Sequence, residues 1–209
     1  MALTPQGFGE LISVSRETLT RLELHAALLQ KWQKAINLVS NDSLDYLWQR
    51  HMVDSAQLAD LIPSDRPINI LDMGSGAGFP GMVLAILASD HGRQWTVHLA
   101  ESDSRKVAFL ATVARETATQ VTIHNKRLEN LTQISADVVT ARAFAPLDRL
   151  LGHAIQFLAP GGECLCLKGV GAEDELTAAH KTWKMKVNHL PSRSGPTGVI
   201  LRIRELSRV

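Results

Sequence analysis

The stretch Ile70-Leu71-Asp72-Met73-Gly74-Ser75-Gly76-Ala77-Gly78-Phe79-Pro80-Gly81 constrains this 209-residue chain more than any other. An apolar run that reads as a buried strand ends in three alternating glycines. Pro80 then stands where proline is favoured, in the first turn of a helix. Glycines let a backbone turn tightly and approach a bulky ligand with no Cβ in the way. A plain turn does not need so many. The expected unit is therefore a strand, a ligand-holding loop over 71–81 and a helix.

The flanking pattern says what this unit belongs to. From Pro67 onward short apolar runs at 68–73, 95–100, 121–124, 137–140, 163–168 and 199–203 read as strands, with a weaker signal at 186–190. Helix-length segments lie between them, at 80–88, 104–117, 146–158 and 173–185. Such alternation predicts an α/β fold with a mostly parallel, doubly wound sheet. The Gly195-Pro196-Thr197-Gly198 turn before the last strand predicts an antiparallel C-terminal edge hairpin. The first 65 residues read as helical instead. Leu19, Leu22, Leu28, Leu29, Trp32 and Ile36 keep one face apolar, and Ser15 with Glu17 suits a helix start. A second periodic set runs from Leu44 to Ile62 behind the cap candidates Asp42 and Ser43, and Pro63 closes it. The expected organisation is a helical extension over 1–65, packed on a core over 66–209 as one structural unit.

Composition narrows the function classes. No apolar run approaches the roughly 20 residues of a membrane helix, and the N-terminus carries no signal-peptide pattern, so a cytoplasmic protein is expected. Cys164 and Cys166, two apart in an apolar run, point to one face of a strand and read as core residues. The eight histidines lack metal-ligand spacing, so no metal is expected. Net charge is only +1, but residues 181–209 hold seven Lys/Arg against one acid. A basic segment of this kind suits a polyanion as well as it suits a solvated edge.

The loop's ligand is a nucleoside by pattern. Gly76 to Gly81 satisfies the G-x-G-x-x-G dinucleotide string, and Glu101, ending the second strand, supplies the carboxylate that ribose hydroxyls need. An NAD(P)-dependent oxidoreductase fits those two features as well as a methyltransferase does. Asp72 before Gly74, in a D-x-G-x-G-x-G string, resembles the first motif of class I, Rossmann-like methyltransferases. The long helical segment before the first strand favours the same reading, and S-adenosyl-L-methionine as the cofactor.

Longer motifs make the resemblance specific. Trp32 with Asn37-Leu38-Val39-Ser40, Arg50-His51-Met52-Val53-Asp54-Ser55, the glycine string extended by Phe79-Pro80-Gly81, Arg142-Ala143-Phe144-Ala145 and Lys168-Gly169 resemble the RsmG (GidB) family over residues 28–168. These are 16S ribosomal RNA guanine-N7 methyltransferases. The chain departs at Gln33, where the family has Asn after Trp, and at Leu128, where it has Ala before Glu.

The resemblance implies cofactor contacts at Gly74, Phe79, Leu128, Glu129 and Arg142, beside those the pattern gives to Gly76 and Glu101. It places Arg142 next to the methyl-transfer site, in a positioning role. It also implies a partner, 16S ribosomal RNA or a small-subunit precursor, met by a monomer. Arg50, Arg142, Lys168, Arg193, Arg202 and Arg204 are RNA-binding candidates, with Arg142 and Lys168 first because they stand at expected carboxyl ends of strands. Guanine N7 carries a lone pair and no proton, so no general base is expected, and His51 reads as a packed histidine. A fold that binds without turnover and a small-molecule methyltransferase are the remaining alternatives.

Overall fold

The structure, a computed structural model, describes residues 2–132 and 134–209. Helices α1 (Pro5–Ile12) and α2 (Arg16–Gln33) open the chain, α2 capped by the Ser15 hydroxyl, which accepts from the Thr18 amide at 3.1 Å. The segment expected as one second helix is broken. It runs as a 3₁₀ turn at Asn41–Ser43, a wide π-type turn at Trp48–Val53, the short α3 (Asp54–Ala56) and a further 3₁₀ turn at Gln57–Leu61. The sheet strands are β1 (Ile68–Met73), β2 (Trp95–Ala100), β3 (Thr122–His124), β4 (Ala136–Arg142), β5 (Leu158–Lys168), β6 (Trp183–Pro191) and β7 (Val199–Arg208). Between them lie α4 (Gly81–Ala88), α5 (Ser104–Glu116), α6 (Leu147–Ala154) and α7 (Ala172–Ala179).

The sheet order is β3-β2-β1-β4-β5-β7-β6, with β7 antiparallel to both its neighbours and every other pair parallel. Chain order reverses between β1 and β4, so a crevice opens beyond their carboxyl ends. Alternation along each strand separates two cores. Ile70, Val138 and Leu165 face one layer, while Leu71, Val139, Cys164 and Cys166 face the other.

Helix α4 explains why the N-terminal segment is there. Its sequence, GMVLAILA, has no polar side chain, and residues 81–87 are all buried. A helix apolar all round must be covered on both sides. The sheet covers one side. The other is covered by α2, α3 and the turns on either side of α3, whose Leu22, Leu29, Met52 and Leu58 join the same core.

Two expected helices are corrected. The one placed at 173–185 ends at Ala179, and Trp183 and Met185 lie in β6. Here Trp183, Met185 and Val187 turn toward the protein while Lys184, Lys186 and Asn188 face solvent, a period of two that the helix-favouring Lys and Met disguise. The one placed at 146–158 ends at Ala154, because Leu158 starts β5, paired with Ala136 ahead of a bulge.

Gly81 is where α4 crosses β1 most closely. A Cβ there would collide with the Leu99 side chain and come within 2.6 Å of the Asp72 Cβ. Gly81→Ala should therefore destabilise the protein by about 1–3 kcal/mol, read from denaturant titration. Unchanged stability would mean that the helix has room to move.

Candidate active site

The glycine loop is fixed from below by a buried carboxylate. Asp72, at the end of β1 and fully buried, accepts from the Thr140 hydroxyl of β4 at 2.9 Å and from the Gly81 amide at 3.1 Å. Burial pushes its carboxyl up to about 6, against the pull of those hydrogen bonds. The loop itself turns through positive φ at Gly74, Gly76 and Gly78, at 68°, 52° and 88°. At Gly74 a side chain would also run into the ring of Phe144. The Gly74 and Ser75 amides both donate to the Ala100 carbonyl, which ties the loop to the end of β2.

Beside this loop a cavity of about 270 Å³ brings together Gly74, Glu101, Leu128 and Glu129. Glu101 is braced by the backbone: one oxygen accepts from the Gly76 amide at 3.0 Å, the other from Asp103 at 2.8 Å. A carboxylate has about four lone-pair directions, so it can still accept from a ligand's hydroxyls. Leu128 and Glu129 begin a 3₁₀ turn. The first amides of a helical turn have no acceptor within it and are available to a ligand. Gly76 does not line the cavity but is held to Glu101, and a Cβ on it would meet only the Gly74 carbonyl oxygen, at an ordinary 3.8 Å.

Phe79 is placed differently. Its ring is 3% exposed and lies between His25 and His51, at centroid distances of 5.1 and 4.9 Å. Any contact it makes with a cofactor is through its backbone. The Arg142 guanidinium sits over the same ring at 5.1 Å. It donates to the Arg50 carbonyl at 2.9 Å and to Nδ1 of His51, with Asp54 at 3.7 Å. Since a guanidinium only donates, His51 carries its proton on Nε2, which reaches the Ser43 hydroxyl at 2.8 Å. Burial first, then the charges of Arg142 and Arg50, lowers the His51 pKa to about 3. His25, wholly buried, donates from Nε2 to the Ala77 carbonyl at 2.9 Å, and desolvation lowers its pKa to about 4.

A second, open cleft of about 1090 Å³ adjoins the first, the two sharing Lys106, Ala143 and Phe144. Arg50, Arg142 and Lys168 line it. Lys168 is already engaged: its ammonium, with the side chain 8% exposed, donates to Ala145 O at 2.9 Å and to Glu175 at 2.7 Å. The same Glu175 oxygen accepts from the Leu147 amide and so fixes the start of α6. Arg193 lies in the β6–β7 turn and pairs with Asp60 at 2.9 Å. Arg202 and Arg204, on β7, pair with Glu163 and Asn188.

Three residues at the site were not singled out by sequence. Asp54 holds the β6–β7 turn, accepting from Ser192 and Ser194 at 3.0 and 2.8 Å. Phe144 stands between the two cavities, and Ala143 before it has a φ of 50°. The Arg142-Ala143-Phe144-Ala145 string was the available signal for Phe144. Nothing in the sequence signals contacts made across some 140 positions.

Comparison with known proteins places this geometry. A family model described as GidB, rRNA small subunit methyltransferase G, matches residues 18–197. The chain belongs to that family. It is 57% identical over 195 residues to ribosomal RNA small subunit methyltransferase G of Paramagnetospirillum magneticum, covering 93% of this chain and 92% of that protein. It is 52% identical to the protein of that name from Rhodospirillum rubrum, covering 99% and 100%. Among solved structures, one described as a putative class I S-adenosylmethionine-dependent methyltransferase from Listeria monocytogenes superposes with a TM-score of 0.63 at 16% identity, over 92% of this chain and 69% of that one. A methyltransferase from Aquifex aeolicus gives 0.59 at 11%, over 76% and 92%. The fold is that of the class I methyltransferases. Among the described residues no helix is long and apolar enough to cross a membrane, and no group of three metal-ligating side chains occurs.

The buried histidines of this chain should make its fold acid-sensitive. A histidine whose pKa is depressed on folding contributes stability above its unfolded value, near 6.5, and loses it as pH falls toward the folded value. By pH 4 His25 and His51 should each have cost about 3 kcal/mol. Asp72, raised on folding, works the other way and returns about 2 kcal/mol over roughly pH 6 to 4. The histidines win, so stability should fall by about 4 kcal/mol from pH 7 to 4. His51→Asn keeps an acceptor for Arg142 but does not titrate, and should remove most of that fall. An equal fall in wild type and variant would show that His51 is not neutral by burial.

Proposed function

We propose that this chain binds S-adenosyl-L-methionine in the smaller cavity and transfers its methyl group to N7 of a guanine in 16S ribosomal RNA, presented in the larger cleft. The observation that carries this reading is the junction of the two cavities at Ala143 and Phe144, beyond the carboxyl ends of β1 and β4. A cofactor and a base entering from opposite sides would meet there. The partner is 16S ribosomal RNA, free or in a small-subunit precursor, and the enzyme acts as a monomer in the cytoplasm.

The residues present fit the cofactor. Gly74 would allow close backbone approach, Glu101 would accept from ribose hydroxyls, and the Leu128 and Glu129 amides would be available to the edge of the adenine. When bound, the cofactor supplies an already activated sulfonium methyl group. What the protein adds is position, since holding nucleophile and methyl in line supplies much of the rate. Arg142, fixed on His51, Arg50 and Phe79, has donors left over and lines the cleft, where it can orient the incoming base.

The side chains also argue against other methyl acceptors. Both ring nitrogens of His51 are engaged, which leaves it unable to act as a base. Burial pushes the Cys166 thiol up to about 12 and raises Cys164 well above the ordinary thiol range, so neither is the thiolate that carbon methylation requires. Nitrogen N7, with a lone pair and no proton, needs neither.

Two measurements test this. Gly76→Val keeps room for its side chain but forces a branched residue to a φ of 52°, costing about 1–3 kcal/mol. The loop should shift in a folded protein and the calorimetric Kd for S-adenosylmethionine should rise about tenfold or more. An unchanged Kd would remove the loop from the site. For the chemistry, RNA methylated by the enzyme should break at one guanosine after mild reduction and aniline, because N7 methylation labilises the glycosidic bond. The single-turnover rate should stay nearly flat from about pH 6 to 8, with no limb from a catalytic base. Methylated RNA that resists aniline would place the methyl elsewhere.

A further inference from the structure

The cations that are free to meet RNA are not where the sequence concentrates charge. Of the seven basic residues in 181–209, five are engaged within the protein: Lys186 with Glu205, Arg193 with Asp60, Arg202 with Glu163, Arg204 with Asn188 and Arg208 over Trp183. By contrast Lys106, Lys126, Arg127 and Arg149 line the smaller cavity, and none has a side-chain hydrogen bond or ion pair among the described residues. Lys126, Arg127 and Arg149 are exposed. Two acids, Glu101 and Glu129, share that lining, and the site is left electropositive.

This charge does not suit the cofactor. S-adenosylmethionine carries a sulfonium and an ammonium against one carboxylate, so it is itself a cation. Four lysine and arginine side chains around it are repulsive unless an anion from outside joins them. The larger cleft has its own free cation in Arg50, and Lys106 belongs to both cavities. A strip of unpaired positive charge therefore runs from the cleft across the mouth of the cofactor cavity.

We infer that the RNA backbone crosses this mouth, with phosphates on Lys126, Arg127 and Arg149, so that bound RNA covers the cofactor. The inference rests on the activity proposed above and adds an order to it. Cofactor enters first, RNA closes over it, and S-adenosylhomocysteine leaves only after the methylated RNA has gone. The phosphates also neutralise the rim while the methyl is transferred.

The test is the dissociation rate of S-adenosylhomocysteine from the full chain, measured by stopped-flow with and without saturating small-subunit RNA. With wild type, RNA should slow dissociation by about tenfold or more. In a Lys126→Ala, Arg127→Ala, Arg149→Ala variant, the ratio of the two rates should return to within about twofold of one, whatever its rate without RNA. The slope of log affinity for RNA against log salt should drop by about 2, at roughly 0.7 per lost phosphate contact on a single strand. RNA that wild type methylates but that leaves its dissociation rate unchanged would overturn the inference and leave the activity standing. So would full slowing in the triple variant. Absence of methyl transfer from wild type to any small-subunit RNA or particle would overturn the activity itself.

Discussion

The packing of Arg142 over Phe79 and against neutral His51 joins three distant parts of the chain. Arg142 ends β4, Phe79 belongs to the glycine loop, and His51 comes from the N-terminal segment. Burying a guanidinium costs several kcal/mol. Here the Arg50 carbonyl, the Asp54 carboxylate and the aromatic face offset that cost. The arrangement works only while His51 is uncharged, since a protonated ring would set two cations side by side. The charge of Arg142 itself helps keep the proton off.

From that contact the rest of the site follows. With the N-terminal segment pinned to the sheet's carboxyl edge, Asp54 holds the β6–β7 turn and the cleft gains its far wall. On the near side Asp72 ties β1, β4 and the start of α4 into one block and sets the path of the glycines. Asp72 and Lys168 are buried polar groups that fix backbone, which is why neither is free for chemistry.

Sequence and structure agree most closely where a buried strand meets a glycine-marked turn. Strands β1 and β2 begin and end at the residues the apolar runs predicted, because most of their side chains are buried and the apolar signal is strong. The glycine loop and Glu101 were legible for the same reason. Strand β6 was faint, since an edge strand with Lys184 and Lys186 outward looks locally helical. The breaks in the segment before β1 and the positive φ of Ala143 arise from tertiary contacts, which no local pattern carries. Charge was misleading in one way: the excess in residues 181–209 is largely absorbed by partners that are distant in sequence.

The assignment of the smaller cavity is what the activity, the order of binding and the role of Phe144 all share. A crystal structure of the chain with S-adenosylhomocysteine tests it most directly. The ribose hydroxyls should lie on Glu101, the adenine edge at the Leu128 and Glu129 amides, and the sulfur should face the larger cleft beside Phe144. A cofactor bound anywhere else, or bound there with its sulfur turned away from the cleft, would contradict it.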